Sequence, residues 1–79
     1  MGTILTLFDL EEGQTAKITD ILVTGTMRRR LLDLGITQGT RIQCLYKSPS
    51  KDPVAFLIRG TVIALRSEDS RDIIIAKID

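Results

Sequence analysis

Two periodicities alternate along this chain, and glycine or proline marks each change. From Thr15, Ala16 and Ile18 fall on one side of an alternating stretch while Thr15, Lys17 and Thr19 fall on the other, as in a half-buried strand. Ile21 and Val23 then break the parity, which predicts a bulge or bend near Thr19-Asp20 in a strand reaching Val23. Between Gly25 and Gly39 the period lengthens. At about 100° per residue, Met27, Leu31 and Leu34 share one face of a short helix, with Arg29 and Asp33 as an i,i+4 pair on the other. Gly35 follows the last periodic leucine, where a left-handed residue closes a helix, and Gly39 lies just before the next strand.

Thr40 to Lys47 alternates again, placing Ile42, Cys44 and Tyr46 inward and Arg41, Gln43, Leu45 and Lys47 outward. Both prolines fall in Ser48 to Pro53, which reads as a loop. Val54 to Arg59 and Thr61 to Arg66 form a meander turning at Gly60, with Val54, Phe56, Ile58, Ile63 and Leu65 inward. The lead-in, Thr3 to Gly13, holds one helical turn that Thr6 caps with Asp9 three residues on, burying Leu7 and Leu10. Ser67 to Arg71 reads as a helical turn with Ser67 as N-cap, and Ile73 to Ile78 as the closing strand.

These elements predict a mostly β fold: a small curled barrel of about five strands with one short inserted helix and short helical turns. Closure is favoured because it removes exposed edges, and an open sheet with the helix on one face is the alternative. A length of 79 residues allows one domain, spanning 1–79. No apolar run approaches the roughly 20 residues that cross a bilayer, so no membrane insertion is expected. The opening residues carry no basic residue and no small-residue cleavage pattern, and the single cysteine suits a reducing compartment. The expected location is the cytoplasm.

Charge narrows the functional classes. Eleven basic against ten acidic residues give a net charge of +1, so any electrostatic recognition is local. The chain has no histidine, and no serine, threonine or cysteine has an evident activating partner, which argues against an enzyme. One thiol and no imidazole make a poor transition-metal cage, and the carboxylates lack the spacing of a calcium loop. Cys44 is expected in the core as a small hydrophobe. Arginines could meet phosphates, but three aromatic residues, Phe8, Tyr46 and Phe56, are too few for a stacking platform, and nucleic acid is not the expected partner.

Two features are not explained by folding. Arg28, Arg29 and Arg30 sit in the first turns of the helix, where cations oppose the macrodipole by a few tenths of a kcal/mol each. They read either as a solvated face with stems laid over the core or as a docking surface for an acidic partner. Leu45, Leu57 and Val62 take outward parity, either as scattered surface residues or as one apolar patch supporting weak homo-oligomerisation.

Three segments carry a family resemblance: Met27 through Thr40 (MRRRLLDLGITQGT), Asp52-Pro53-Val54-Ala55, and Arg59 through Arg66 (RGTVIALR). With Leu7-Phe8-Asp9-Leu10 through Gly13, they make the whole chain resemble the ferrous iron transport protein A (FeoA) family. The resemblance implies an SH3-like barrel in the cytoplasm that assists the membrane protein FeoB in ferrous iron uptake. FeoA is expected to bind FeoB's cytoplasmic portion, which includes a GTP-hydrolysing domain, and to modulate transport. The same fold closes iron-dependent repressors, so the alternative is a metal-responsive regulatory or assembly module, without the repressors' DNA-binding domain. The family implies no catalytic residues and no required cofactor. It does attach a divalent transition metal such as Fe²⁺, whose ligands are unassigned in this sequence. For partner contact the matching helix points to Arg28, Arg29, Arg30 and Leu31. Leu57 and Val62 depart from the polar residues common at these positions.

Overall fold

The structure, a computed structural model, describes residues 4–50 and 52–78. Thr3, the expected start of the lead-in, and Lys51 of the proline loop lie outside them. The elements are β1 (Leu5–Thr6), a 3-10 turn (Leu7–Asp9), β2 (Thr15–Ile21), α1 (Gly25–Asp33), β3 (Arg41–Lys47), β4 (Val54–Ile58), β5 (Thr61–Leu65), α2 (Ser67–Ser70) and β6 (Ile73–Ile78). Six strands form one antiparallel sheet in the order β1-β6-β2-β3-β4-β5. The sixth strand is β1, whose two residues are too short to show alternation in the sequence.

The sheet curls around a core in which Phe56 and Ile18 are fully buried alongside Leu7, Leu10, Ile36 and Ile42. Inward parity along β2 comes from Ala16 and Ile18, and the pairing with β6 slips between Ile18 and Asp20, the bulge that the broken alternation predicts. Val23 lies beyond the strand end but is buried. A second bulge, between Cys44 and Tyr46, is not visible in the sequence because Leu45 and Tyr46 are both acceptable on either face. It reverses the parity of Tyr46, which was expected inward and is 57% exposed. All five residues expected inward on the β4–β5 hairpin are buried.

Two local features fix the ends of the sheet. In the lead-in, Asp9 Oδ2 accepts from the Thr6 N–H at 2.9 Å and from its hydroxyl at 3.3 Å. At α2, Arg66 rather than Ser67 is the N-cap residue, because Ser67 turns to Asp52. The Asp52 carboxylate accepts from the Ser67 N–H at 3.1 Å and from its Oγ at 3.3 Å, capping the turn from another loop.

Candidate partner-binding surface

Helix α1 enters and leaves through glycines with positive φ. Gly25 has φ +70° and Gly35 φ +80°, and the Gly35 and Ile36 N–H groups donate to the Leu32 and Leu31 carbonyls at 2.9 Å each. That closure carries the chain inward at Ile36, which is 1% exposed. Leu34, expected on the buried face, is 37% exposed because the helix has ended before it and Ile36 takes its place in the core.

The helix seats on the barrel through Leu31, with Met27 half-buried beside the core. At 1% exposure Leu31 cannot touch a partner, which corrects its placement among the contact residues. Its face is the Met27 face, one turn along. The residue that sequence reasoning missed is Leu32, 48% exposed and four positions from Arg28. The i,i+4 spacing to Arg28 was the available signal.

Arg28, Arg29 and Arg30 are all exposed, but they do different things. The Arg28 Nη1 donates to the Ile21 carbonyl at 2.9 Å and to the Val23 carbonyl at 3.5 Å, tying the first turns of α1 to the end of β2. Arg29 and Arg30 have no side-chain hydrogen bond or salt bridge among the described residues. The expected Arg29–Asp33 pair is not formed: the salt bridge among the described residues is Lys47 to Glu11 at 3.5 Å. On an open helix face such a pair is worth only about 0.3–0.5 kcal/mol, too little to hold two long side chains together.

Two open clefts flank the helix. One, of about 360 Å³, is lined by Gly25, Arg28, Arg29, Leu32 and Asp33. The other, of about 420 Å³, is lined by Asp20, Ile21, Arg28, Leu32, Thr37 and Gln38. Arg28 and Leu32 form the ridge between them. The surface offers an apolar side chain at its centre with free guanidinium groups beside it, a composition suited to a protein partner and devoid of a nucleophile with an adjacent base.

The other expected contact residues lie on the sheet. Leu57 and Val62 stand opposite each other on β4 and β5, Leu57 half-buried and Val62 60% exposed. Leu45, 39% exposed, sits at the β3 bulge and so falls one row away from that pair.

The described residues do not bring together a set of ligands for a resident metal. Among the described residues no group of three or more His, Cys, Asp or Glu side chains could hold an ion. Cys44, the one thiol, is fully buried, and burial pushes its pKa up, with Lys47 opposing and Glu12 and Glu11 reinforcing. A thiol buried in the core with no group of His, Asp or Glu donors gathered around it does not complete a metal site.

The FeoA domain model matches residues 5–77. The chain belongs to the FeoA family. It is 33% identical, over 67 residues, to a protein of Porphyromonas gingivalis described as an Fe(2+) transport protein A/Fe(2+) transporter FeoB fusion protein. The match takes in 85% of this chain and 8% of that relative's length. Among solved structures, FeoA of Chlorobium tepidum superposes with a TM-score of 0.89 at 27% identity, over 95% of this chain and 71% of that one. FeoA of Stenotrophomonas maltophilia, described as an SH3 domain protein and complexed with zinc, gives 0.79 at 22% identity over 91% and 89%. A manganese-dependent transcriptional repressor shares the fold, at TM-score 0.83 and 18% identity over 99% of this chain and 43% of the repressor. The fold is mostly β and SH3-like, as the resemblance implied, and the family is one of ferrous iron transport. Among the described residues no helix is long and apolar enough to cross a membrane.

Proposed function

We propose that this chain is a cytoplasmic accessory protein of ferrous iron uptake that docks on the cytoplasmic portion of FeoB and modulates transport. The observation that carries the reading is the Porphyromonas gingivalis relative, in which an FeoA-like segment and FeoB are one polypeptide. Fusion holds two modules at high effective concentration, and it is productive when the modules act on each other. The α1 surface is the contact. Leu32 gives the apolar anchor, Arg29 and Arg30 the charges for an acidic FeoB face, and Arg28 holds the helix in place. Leu31 supports the helix from beneath.

Such a module has no chemistry of its own to contribute. It alters a partner's cycle by binding one of its states more tightly than another, so its effect tracks the nucleotide state of FeoB's GTP-hydrolysing domain. The rival reading, a metal-responsive assembly module, requires ligands that the described residues do not bring together. GTP hydrolysis by the isolated cytoplasmic portion of the cognate FeoB, measured across a titration of this chain, tests the modulating role. A saturable change in rate supports it, and an unchanged rate when binding is saturated contradicts it.

A further inference from the structure

Sheet register assembles a second charged surface that is scattered in the sequence. Lys17 of β2 pairs with Arg41 of β3. Ile42 pairs with Ile58, and Arg59, the first residue of the β4–β5 turn, follows Ile58 and lines one cleft with Arg41. Lys17, Arg41 and Arg59 are all exposed and make a row that runs from β2 through β3 to the β4–β5 turn. At a strand spacing of about 4.7–4.9 Å, the Lys17 and Arg41 backbones are direct neighbours. Like charges directly opposite each other destabilise a sheet, and none of the three makes a side-chain hydrogen bond or salt bridge among the described residues. Nothing in the fold calls for Lys17 or Arg41 there.

Arg59 adds a second oddity. It is the one non-glycine among the described residues with positive φ, at +51°, and it precedes Gly60 at +79° in the β4–β5 turn. Turns of this kind favour asparagine or glycine at the Arg59 position. Its side chain lies over Gly35, where an added Cβ would come within 3.4 Å of Nε, and a cation at the C-terminal end of α1 does help that helix. That contact accounts for one charge of the row and leaves Lys17 and Arg41 unexplained.

A cleft of about 230 Å³ lies beside the row, lined by Thr15, Arg41, Gln43, Leu57, Arg59 and Gly60 among others. Leu57 and its partner Val62 continue the same outward face. We infer that this face is a second docking surface, distinct from α1, which takes an acidic and apolar segment of a partner protein. Two carboxylates about 5–6 Å apart on a partner helix match neighbouring cations of the row, and an apolar side chain beside them covers Leu57 and Val62. Nucleic acid or an anionic lipid headgroup would satisfy the cations and leave that apolar pair uncovered. A second copy meeting the face symmetrically brings the same cations, since β3, β4 and β5 contain no Asp or Glu and Asp20 of β2 lines the cleft beside α1 instead.

The test is an NMR titration of the full, isotope-labelled chain with a synthetic helical peptide bearing glutamate pairs at i,i+4 spacing and leucines beside them. The expected result is saturable shifts of the Lys17, Arg41, Leu57 and Arg59 amides, with affinity lowered about tenfold in Arg41→Glu and unchanged in Arg29→Glu. Arg59→Gly is the second variant. Glycine accepts the backbone conformation of that position, so weakened binding there is not a failure to fold. Absence of saturation, shifts confined to α1, or equal binding by Arg41→Glu overturns the inference. So does a response of these amides to a duplex oligonucleotide or anionic vesicles with none to the peptide, or a dimer in sedimentation that Leu57→Lys abolishes.

Discussion

The Arg28 guanidinium donates a 2.9 Å hydrogen bond to the carbonyl oxygen of Ile21, joining the first turns of α1 to the last residue of β2. This divides the arginine triplet into one residue that positions the helix and two, Arg29 and Arg30, that are free to meet a partner. Arg28→Ala should therefore cost stability, about 1 kcal/mol for a charge-assisted bond at the surface. For a domain of this size that corresponds to a midpoint lowered by about 4–8 °C in thermal denaturation. Arg29→Ala should stay within about 0.5 kcal/mol of the parent chain. Equal stabilities of the two variants would remove the division.

Adjacent leucines on α1 are expected to separate folding from binding. Leu31 is 1% exposed and Leu32 48%. Leu31→Ala opens a cavity under the helix and should cost about 2–5 kcal/mol, a large share of the 5–15 kcal/mol that typically holds a domain together. Leu32→Ala should leave the denaturation midpoint within a few degrees and weaken binding to FeoB's cytoplasmic domains.

Asp52 caps α2 from a different loop, through the Ser67 N–H and hydroxyl. Asp52→Ala should cost about 1 kcal/mol, as loss of an N-cap does, and Asp52→Asn should recover most of it, since the amide oxygen still accepts. Chemical denaturation of the two variants reads the difference directly.

The buried thiol supplies a pH dependence. Burial raises the pKa of Cys44 above its ordinary value of 9.0, so the folded chain keeps a proton that the unfolded chain releases. The stabilisation is complete below about pH 8 and is lost as pH rises through the unfolded value toward the folded one. The denaturation midpoint should fall more steeply between about pH 8 and pH 10 in the parent chain than in Cys44→Ala. Parallel slopes would place the thiol in water.

What the sequence conveys depends on how local the cause is. The strands with clean alternation, the glycine that ends α1 and the bulge at Thr19-Asp20 all leave a mark within a few residues, and each was readable. Tyr46 was misplaced because the β3 bulge depends on pairing with β4, which has no trace in β3 itself. Ser67 was misread as a cap because its partner, Asp52, stands 15 positions away. At the candidate surface, helical spacing alone put the arginines outside, while the tie from Arg28 to Ile21 and the exposure of Leu32 depend on where α1 settles on the sheet. The pairing of Lys17 with Arg41 exists only in the register of β2 on β3, and Arg59 joins them from the β4–β5 turn.

The proposed docking on FeoB runs through α1. Its most direct test is a binding titration against the isolated cytoplasmic domains of the cognate FeoB, with and without a GTP analogue, for the parent chain and for Arg29→Glu with Arg30→Glu. Saturable binding that weakens with salt and is lost in the double variant, with the fold intact, is the predicted result. Undiminished binding by the double variant, or no binding in any nucleotide state, would contradict it.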